Sequence, residues 1–228
     1  MVNSILFPKI NTMVEAPKIM QTQEPSFYGL KELKQDLVSF KSSNEDKDIT
    51  ALNLLRSKDL DKFNILRKNN PDYIPNFRYA DLKGMVLEGI NLNAAKLLKA
   101  DMEKINLIDA QLERAILGRT NLREAKLERA NLANAIITAA DLTDANLKHA
   151  NLRGANLENS KLTNANVVDA DLHGATANLN ELRNTSEESQ KYLYRNYILL
   201  ADTANSDKTN YKVTIYSKAE AKEVSLYP

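Results

Sequence analysis

From Leu82 to Leu172 a large aliphatic residue recurs at every fifth position without a lapse. Of these 19 central positions 16 are leucine, and the others are Met102, Ile137 and Val167. Two residues before the centre, 14 of 19 are alanine, and immediately before it 12 of 19 are Asn or Asp. A period of five suits neither regular structure. In an α-helix five residues advance about 500°, so successive leucines would smear around the axis. In a flat strand an odd period sends alternate leucines to opposite faces and leaves half of them in water. All the leucines share one interior only if the chain turns a corner every five residues. Asn and Asp tolerate such corners through local side-chain hydrogen bonds and the left-handed backbone region, and the recurring alanine lets adjacent walls approach closely.

This A(D/N)LXX pattern resembles the pentapeptide-repeat family. The resemblance implies an all-β solenoid core: a right-handed quadrilateral β-helix over residues 77–182, with four pentapeptides per coil and about five coils. Residues 20 apart would then stack at about the 4.8 Å inter-strand spacing. Charge placement leans the same way. Opposite charges stand 20 apart at Lys83/Glu103, Glu103/Arg123, Lys104/Glu124, Asp109/Arg129, Glu128/Lys148, Asp141/Lys161 and Lys161/Glu181, against three like-charge pairs, as cross-strand pairing predicts.

Proline and aromatic residues mark the boundaries. Five of six prolines precede Asn76, and only Phe77 and Tyr79 of the 14 Phe and Tyr residues lie inside the repeats. The open ends of a coil need cover, and α-helical segments are predicted on both sides. Residues 1–25 are expected to be mobile and residues 26–76 to form a helical leader and N-terminal cap. Within it, one helix is predicted over Gly29–Phe40 and another from an N-cap at Ser57 through Lys68, stopped by Asn69-Asn70-Pro71. The run FNILRKNNPDYIPNF resembles helical leaders that precede such repeats, and Met85, Ile90 and Ile105 widen the mouth by replacing alanine. Residues 183–228 are read as a C-terminal helix plus a strand-like tail. Its helix is predicted from Thr185-Ser186-Glu187-Glu188 through Leu200, with Leu193, Tyr197 and Leu200 buried. Residues 201–210 are expected to be mobile, and Lys212–Tyr216 alternates like a strand.

Composition narrows the function. The chain has no cysteine and formal net charge +1, which excludes thiolate metal sites and disulfides and makes a reducing, cytoplasmic setting the expectation. The N-terminus shows no signal-peptide pattern, and no apolar run approaches the roughly 18 residues of a membrane span. The repeat body carries 13 basic and 14 acidic residues, read as mixed signs on every face, so neither nucleic acid nor membrane is expected as partner. His149 stacks with Asp169 but lacks a third metal ligand, and His173 has Arg153 beneath it. Ser160 and Thr120 replace wall alanines with no histidine in reach. No phosphate-binding glycine loop stands out. We therefore expect no catalytic residues, cofactor, metal or small-molecule substrate.

The expected role is a non-enzymatic protein-interaction or scaffolding module. The alternative the resemblance suggests is a DNA mimic that modulates a topoisomerase such as gyrase, which needs a strongly negative surface. One feature points at a partner surface. With 20 residues per coil, Ile116 and Ile136 are stacked neighbours facing outward, with Leu98 diagonally beside them and Thr138 in the adjoining column. Leu98, Ile116, Ile136 and Thr138 form the candidate interaction patch, to be covered by a partner, by a second copy of this chain, or by its own ends.

Overall fold

The computed structural model describes residues 44–201 and 212–221, all within the compact unit 41–228. The helix expected over Gly29–Phe40, residues 1–25 and most of 201–210 lie outside the described residues.

The repeat coils into a β-helix solenoid. Parallel bridges join residues 20 apart along four walls: Asp81 to Lys161, Val86 to Asn166, Asn91 to Asp171 and Asn76 to Thr176. Each central residue from Leu82 to Leu157 donates its N–H to the carbonyl 19 residues on, as Leu82 does to Asp101 and Leu122 to Asp141, both at 2.8 Å. The central side chains fill the tube and none exceeds 2% exposure. Thr120 and Ser160 keep the walls thin by turning their hydroxyls onto the carbonyls of Leu117 and Ile137.

The corners divide their work differently from the sequence expectation. All 12 Asn and Asp residues that precede a centre accept a hydrogen bond from the backbone N–H two residues on, at 2.9–3.3 Å. The left-handed backbone falls elsewhere, two residues after the centre, at φ +55° to +72° in 20 successive repeats from Tyr79 to Gly174. Only four of these positions are glycine; the others include Lys, Arg, Glu and Ala. A left-handed residue with a Cβ costs about 1–2 kcal/mol. The site offsets this with a ladder bond such as Lys104 N–H to Arg123 O at 2.8 Å, followed by the closing bond from Ile105 N–H to Met102 O at 3.2 Å.

Glycine is specifically needed where the corner is also crowded. A Cβ on Gly154 would meet Asn134 Oδ1 at 2.5 Å, whereas one on Gly84 meets nothing within 4 Å. Gly154→Ala is therefore expected to lower the melting temperature more than Gly84→Ala, which bears only the conformational cost of about 1 kcal/mol. Equal melting shifts would show that Asn134 yields freely.

Four of the seven opposite-charge pairs form: Lys83–Glu103 at 2.7 Å, Lys104–Glu124 at 3.5 Å, Asp109–Arg129 at 2.7 Å and Asp141–Lys161 at 3.5 Å. Arg123 turns instead to Asp141 at 3.7 Å, Glu128 to Asn146 at 2.6 Å, and Glu181 to the N–H of Leu162 at 3.1 Å. Such exposed pairs contribute little each.

Among the described residues two helices precede the coil, α1 (Asn44–Arg56) and α2 (Leu60–Asn69). Asp59, rather than Ser57, is the N-cap of α2 and accepts from Lys62 N–H at 3.2 Å. Ser57 instead closes α1, its hydroxyl on Leu54 O at 3.1 Å. The leader reaches the first coil through specific polar groups. Asp48 accepts from the Tyr73 hydroxyl at 2.7 Å and from Asn76 N–H at 2.9 Å. Asn64 accepts from Asn91 N–H at 2.9 Å, and the buried Arg67 guanidinium donates to the carbonyls of Tyr73 and Asn93. Phe63 and Phe77 are buried with ring centroids 6.3 Å apart, in one continuous core with Ile90 and Ile105.

The far end departs from prediction. The solenoid wall ends as β1 (Thr176–Asn178), and Leu182 sits on a short helix, α3 (Leu179–Arg183), rather than in a further coil. Helix α4 (Glu187–Asn196) starts from the Ser186 cap as expected, but the chain from Tyr197 to Ala201 is strand β2, not helix. Its partner β3 (Lys212–Ser217) lies between β1 and β2, antiparallel to both, with Thr176 opposite Thr214 and Leu200 opposite Thr214. Helical spacing of Leu193, Tyr197 and Leu200 could not reveal this, because the strand depends on a partner more than ten residues away. A four-residue helix, α5 (Lys218–Ala221), follows. No helix among the described residues is long and apolar enough to cross a membrane.

Candidate functional site

The wall from Asn76 to Thr176 carries the candidate patch. Bridges run Lys96–Ile116–Ile136–Asn156, so the two isoleucines stand in one column at about 4.8 Å spacing. The adjoining column comprises Leu98, Gly118, Thr138 and Glu158. Gly118 leaves room there: a Cβ on it would lie 3.1 Å from Leu98 Cδ1 and 3.5 Å from Thr138 Oγ1. Leu98 accordingly lies over Gly118, and the surface between the isoleucines and Thr138 is low. Ile136 is 44% exposed, while Leu98, Ile116 and Thr138 are partly covered. The structure thus brings together all four predicted residues.

No described segment folds over them. Strand β3, at one of the chain's own ends, extends the same wall at Thr176 and adds length to it rather than cover. Helices α1 and α2 engage the opposite end of the coil.

The charge of this wall differs from that of the repeat body as a whole. Its outward positions from Asn76 to Ala139 include Arg78, Lys96, Lys99 and Arg119 and not one carboxylate. The expectation of mixed signs on every face fails here. The wall's single acid, Glu158, lies at the far end and is neutralised by Lys212 of β3, Nζ to Oε1 at 2.7 Å. None of the four cations forms an ion pair among the described residues, although Lys99 Nζ lies 5.5 Å from the centre of the exposed Tyr79 ring. Asp48 of α1 accepts from the N–H of Asn76 at the head of the wall, and the acids of the repeat body itself stand around the corners. Asp81 and Asp101 begin the next wall, and Glu113 lies 3.7 Å from Arg114. The signal was legible only after assignment of every fifth residue to a wall, because the neighbouring wall from Asp81 carries six carboxylates and balances the count.

Other sequence candidates are accounted for by local partners. His149 Nδ1 lies 3.7 Å from Asp169, and Arg129 is engaged by Asp109. His173 Nδ1 accepts from Ser217 N–H at 3.3 Å, with its ring edge-on to Tyr216, so it belongs to the junction with β3. Among the described residues no three His, Asp or Glu side chains are grouped for a metal ion. A groove of about 300 Å³ at the C-terminal end is lined by leucines and tyrosines with Arg183 and Gln190.

The profile of the pentapeptide repeats family matches in eight copies, over residues 76–107, 105–144 and 140–176. No curated protein matches the chain. Among solved structures, the chain is similar to Rfr23, a pentapeptide repeat protein from the cyanobacterium Cyanothece 51142. Identity is 36% over 42% of this chain and 62% of that one, with a TM-score of 0.33. HetL, from Nostoc sp. strain PCC 7120 and involved in heterocyst differentiation regulation, is 29% identical over 45% of this chain and 64% of its own, TM-score 0.24. QnrB1, a plasmid-mediated fluoroquinolone resistance protein, is 19% identical over 44% and 62%, TM-score 0.35. The matched region is a little under two thirds of the length of each. With eight matched copies and a coil that closes every 20 residues, residues 76–176 are a run of pentapeptide repeats.

Proposed function

We propose that the protein is a non-enzymatic interaction module of the cytoplasm that binds a protein partner, or a second copy of itself, on the wall bearing Leu98, Ile116, Ile136 and Thr138. The observation that carries this reading is Ile136 standing 44% exposed on a rigid, low surface beside Ile116 and Leu98. Repeat solenoids present long rigid faces suited to binding, and a clustered apolar surface on an otherwise polar one marks an interaction site. The DNA-mimic alternative is disfavoured by charge, since a substitute for a phosphate polyanion cannot present a wall of cations and a balanced repeat body.

The test replaces Ile116 and Ile136 together by Asn, the commonest residue at this position of the repeat. Asn restores the local bond to the N–H two residues on, so the melting temperature is expected to stay within a few degrees. Self-association measured by sedimentation, or capture of a cellular partner, is expected to be lost. Unchanged association and capture would overturn the reading, and a large fall in melting temperature would show that the patch packs within the chain.

A further inference from the structure

We infer that this wall recognises an acidic segment, an amphipathic helix carrying an apolar stripe flanked by carboxylates. The inference rests on the proposed interaction surface and adds the chemistry of its partner. Four cations stand on the wall without ion pairs among the described residues, and they lie within three coils of one another. Arg78 shares the first coil with Tyr79, Lys96 and Lys99 flank Leu98 on the second, and Arg119 follows Gly118 on the third. The apolar column of Ile116 and Ile136 begins on the third coil, beside Arg119, and continues onto the fourth, past the last cation. A partner must therefore satisfy both halves: negative charge over Arg78, Lys96, Lys99 and Arg119, and an apolar anchor over Ile116 and Ile136.

A helix fits the spacing. Coils repeat at about 4.8 Å and helical turns at about 5.4 Å, so side chains on one helix face stay close to register over three coils. A helix of about ten residues spans the roughly 15 Å from Arg78 to Ile136. Nucleic acid fits less well. Duplex binders of ordinary affinity neutralise about 6–10 phosphates, more than four cations supply, and the isoleucines would face a sugar–phosphate backbone with nothing apolar to cover them. The only aromatic platform on the wall, Tyr79, is already engaged by Lys99.

The test uses the full chain and four probes: a short helical peptide with a leucine stripe flanked by glutamates, the same peptide with lysine for glutamate, a short DNA duplex, and phosphatidylserine vesicles. The glutamate peptide is expected to bind, to weaken as salt rises, and to lose affinity about tenfold on Lys99→Ala with Arg119→Ala, with the melting temperature unchanged. Equal binding of both peptides, indifference to the Lys99 and Arg119 changes, or tighter binding of duplex or vesicles would overturn the inference. If the glutamate peptide fails to bind while Ile116→Asn with Ile136→Asn still abolishes capture of the cellular partner, only the acidic chemistry falls. If the double Asn variant also changes nothing, the surface itself is wrong.

Discussion

Leu122→Asp is expected to yield no stably folded protein, whereas Arg123→Asp, one residue along, is expected to melt close to the parent. Leu122 is 1% exposed in the middle coil. Losing its burial removes about 1.5–3 kcal/mol, and an unpaired carboxylate inside the tube costs several kcal/mol more. Set against a typical total stability of about 5–15 kcal/mol, that sum removes most of the margin. The tube also lacks a soft layer in which the charge could escape. Carboxylate and solvent are separated by a wall of alanines such as Ala125 and Ala140, both 1% exposed. Arg123 faces water and loses only a 3.7 Å contact with Asp141, worth less than about 1 kcal/mol. Soluble yield and thermal melts by circular dichroism check the pair. Wild-type behaviour of Leu122→Asp would show that the register of the coil is wrong.

The second large effect concerns the C-terminal end. Removing residues 179–228 is expected to produce aggregates by end-to-end stacking, because every wall of the last coil is closed by a different group from that segment. Leu162 N–H donates to Glu181 Oε2 at 3.1 Å, Val167 N–H to Ser189 Oγ at 2.8 Å and Leu172 N–H to the Tyr197 hydroxyl at 3.2 Å. On that same wall Gly174 N–H donates to Ile215 O at 2.7 Å, and the fourth wall, ending at Thr176–Asn178, is covered by its antiparallel pairing with β3. A coil end without them is an open sheet edge around an apolar cross-section. Tyr197→Phe isolates one part of the device. It leaves the buried Leu172 N–H without its acceptor and takes one of two tyrosine hydroxyls from Ala170 O, where Tyr192 also donates at 3.1 Å. That costs about 1–3 kcal/mol, or a fall of roughly 2–4 °C per kcal/mol for a chain of this size. Light scattering of the truncated chain and a melt of Tyr197→Phe test the two claims. A monomeric truncation with an unchanged melt would show that the segment has another purpose.

What the sequence determined by itself is everything that repeats. A five-residue period admits one interior only, so the central positions and the alanine walls follow from counting, while the 20-residue stacking, and with it the columns of Leu98, Ile116, Ile136 and Thr138, is what the family resemblance implied. Each repeat is a local unit whose neighbour is a fixed number of residues away, and a local rule applied 19 times leaves little to tertiary chance. Even so, the corner chemistry was legible only in half. Asn and Asp were rightly credited with local hydrogen bonds, but the left-handed residue proved to be two after the centre, where Lys, Arg and Glu hold it because ladder bonds on both sides determine the backbone.

The ends were decided by tertiary structure. Tyr197–Ala201 has the spacing of a helix and becomes a strand because Lys212–Ser217 pairs with it, and that strand in turn needs the free edge of Thr176–Asn178. Ser57 and Asp59 are both competent helix caps, and only the packing of two helices over the first coil assigns them. The charge of the candidate surface also depended on three dimensions. Thirteen basic and fourteen acidic residues are neutral as a sum, yet folding around four walls places four cations and no carboxylate on the stretch from Asn76 to Ala139. Electrostatic recognition acts over about a Debye length, roughly 8–10 Å. A partner therefore senses one wall and not the total.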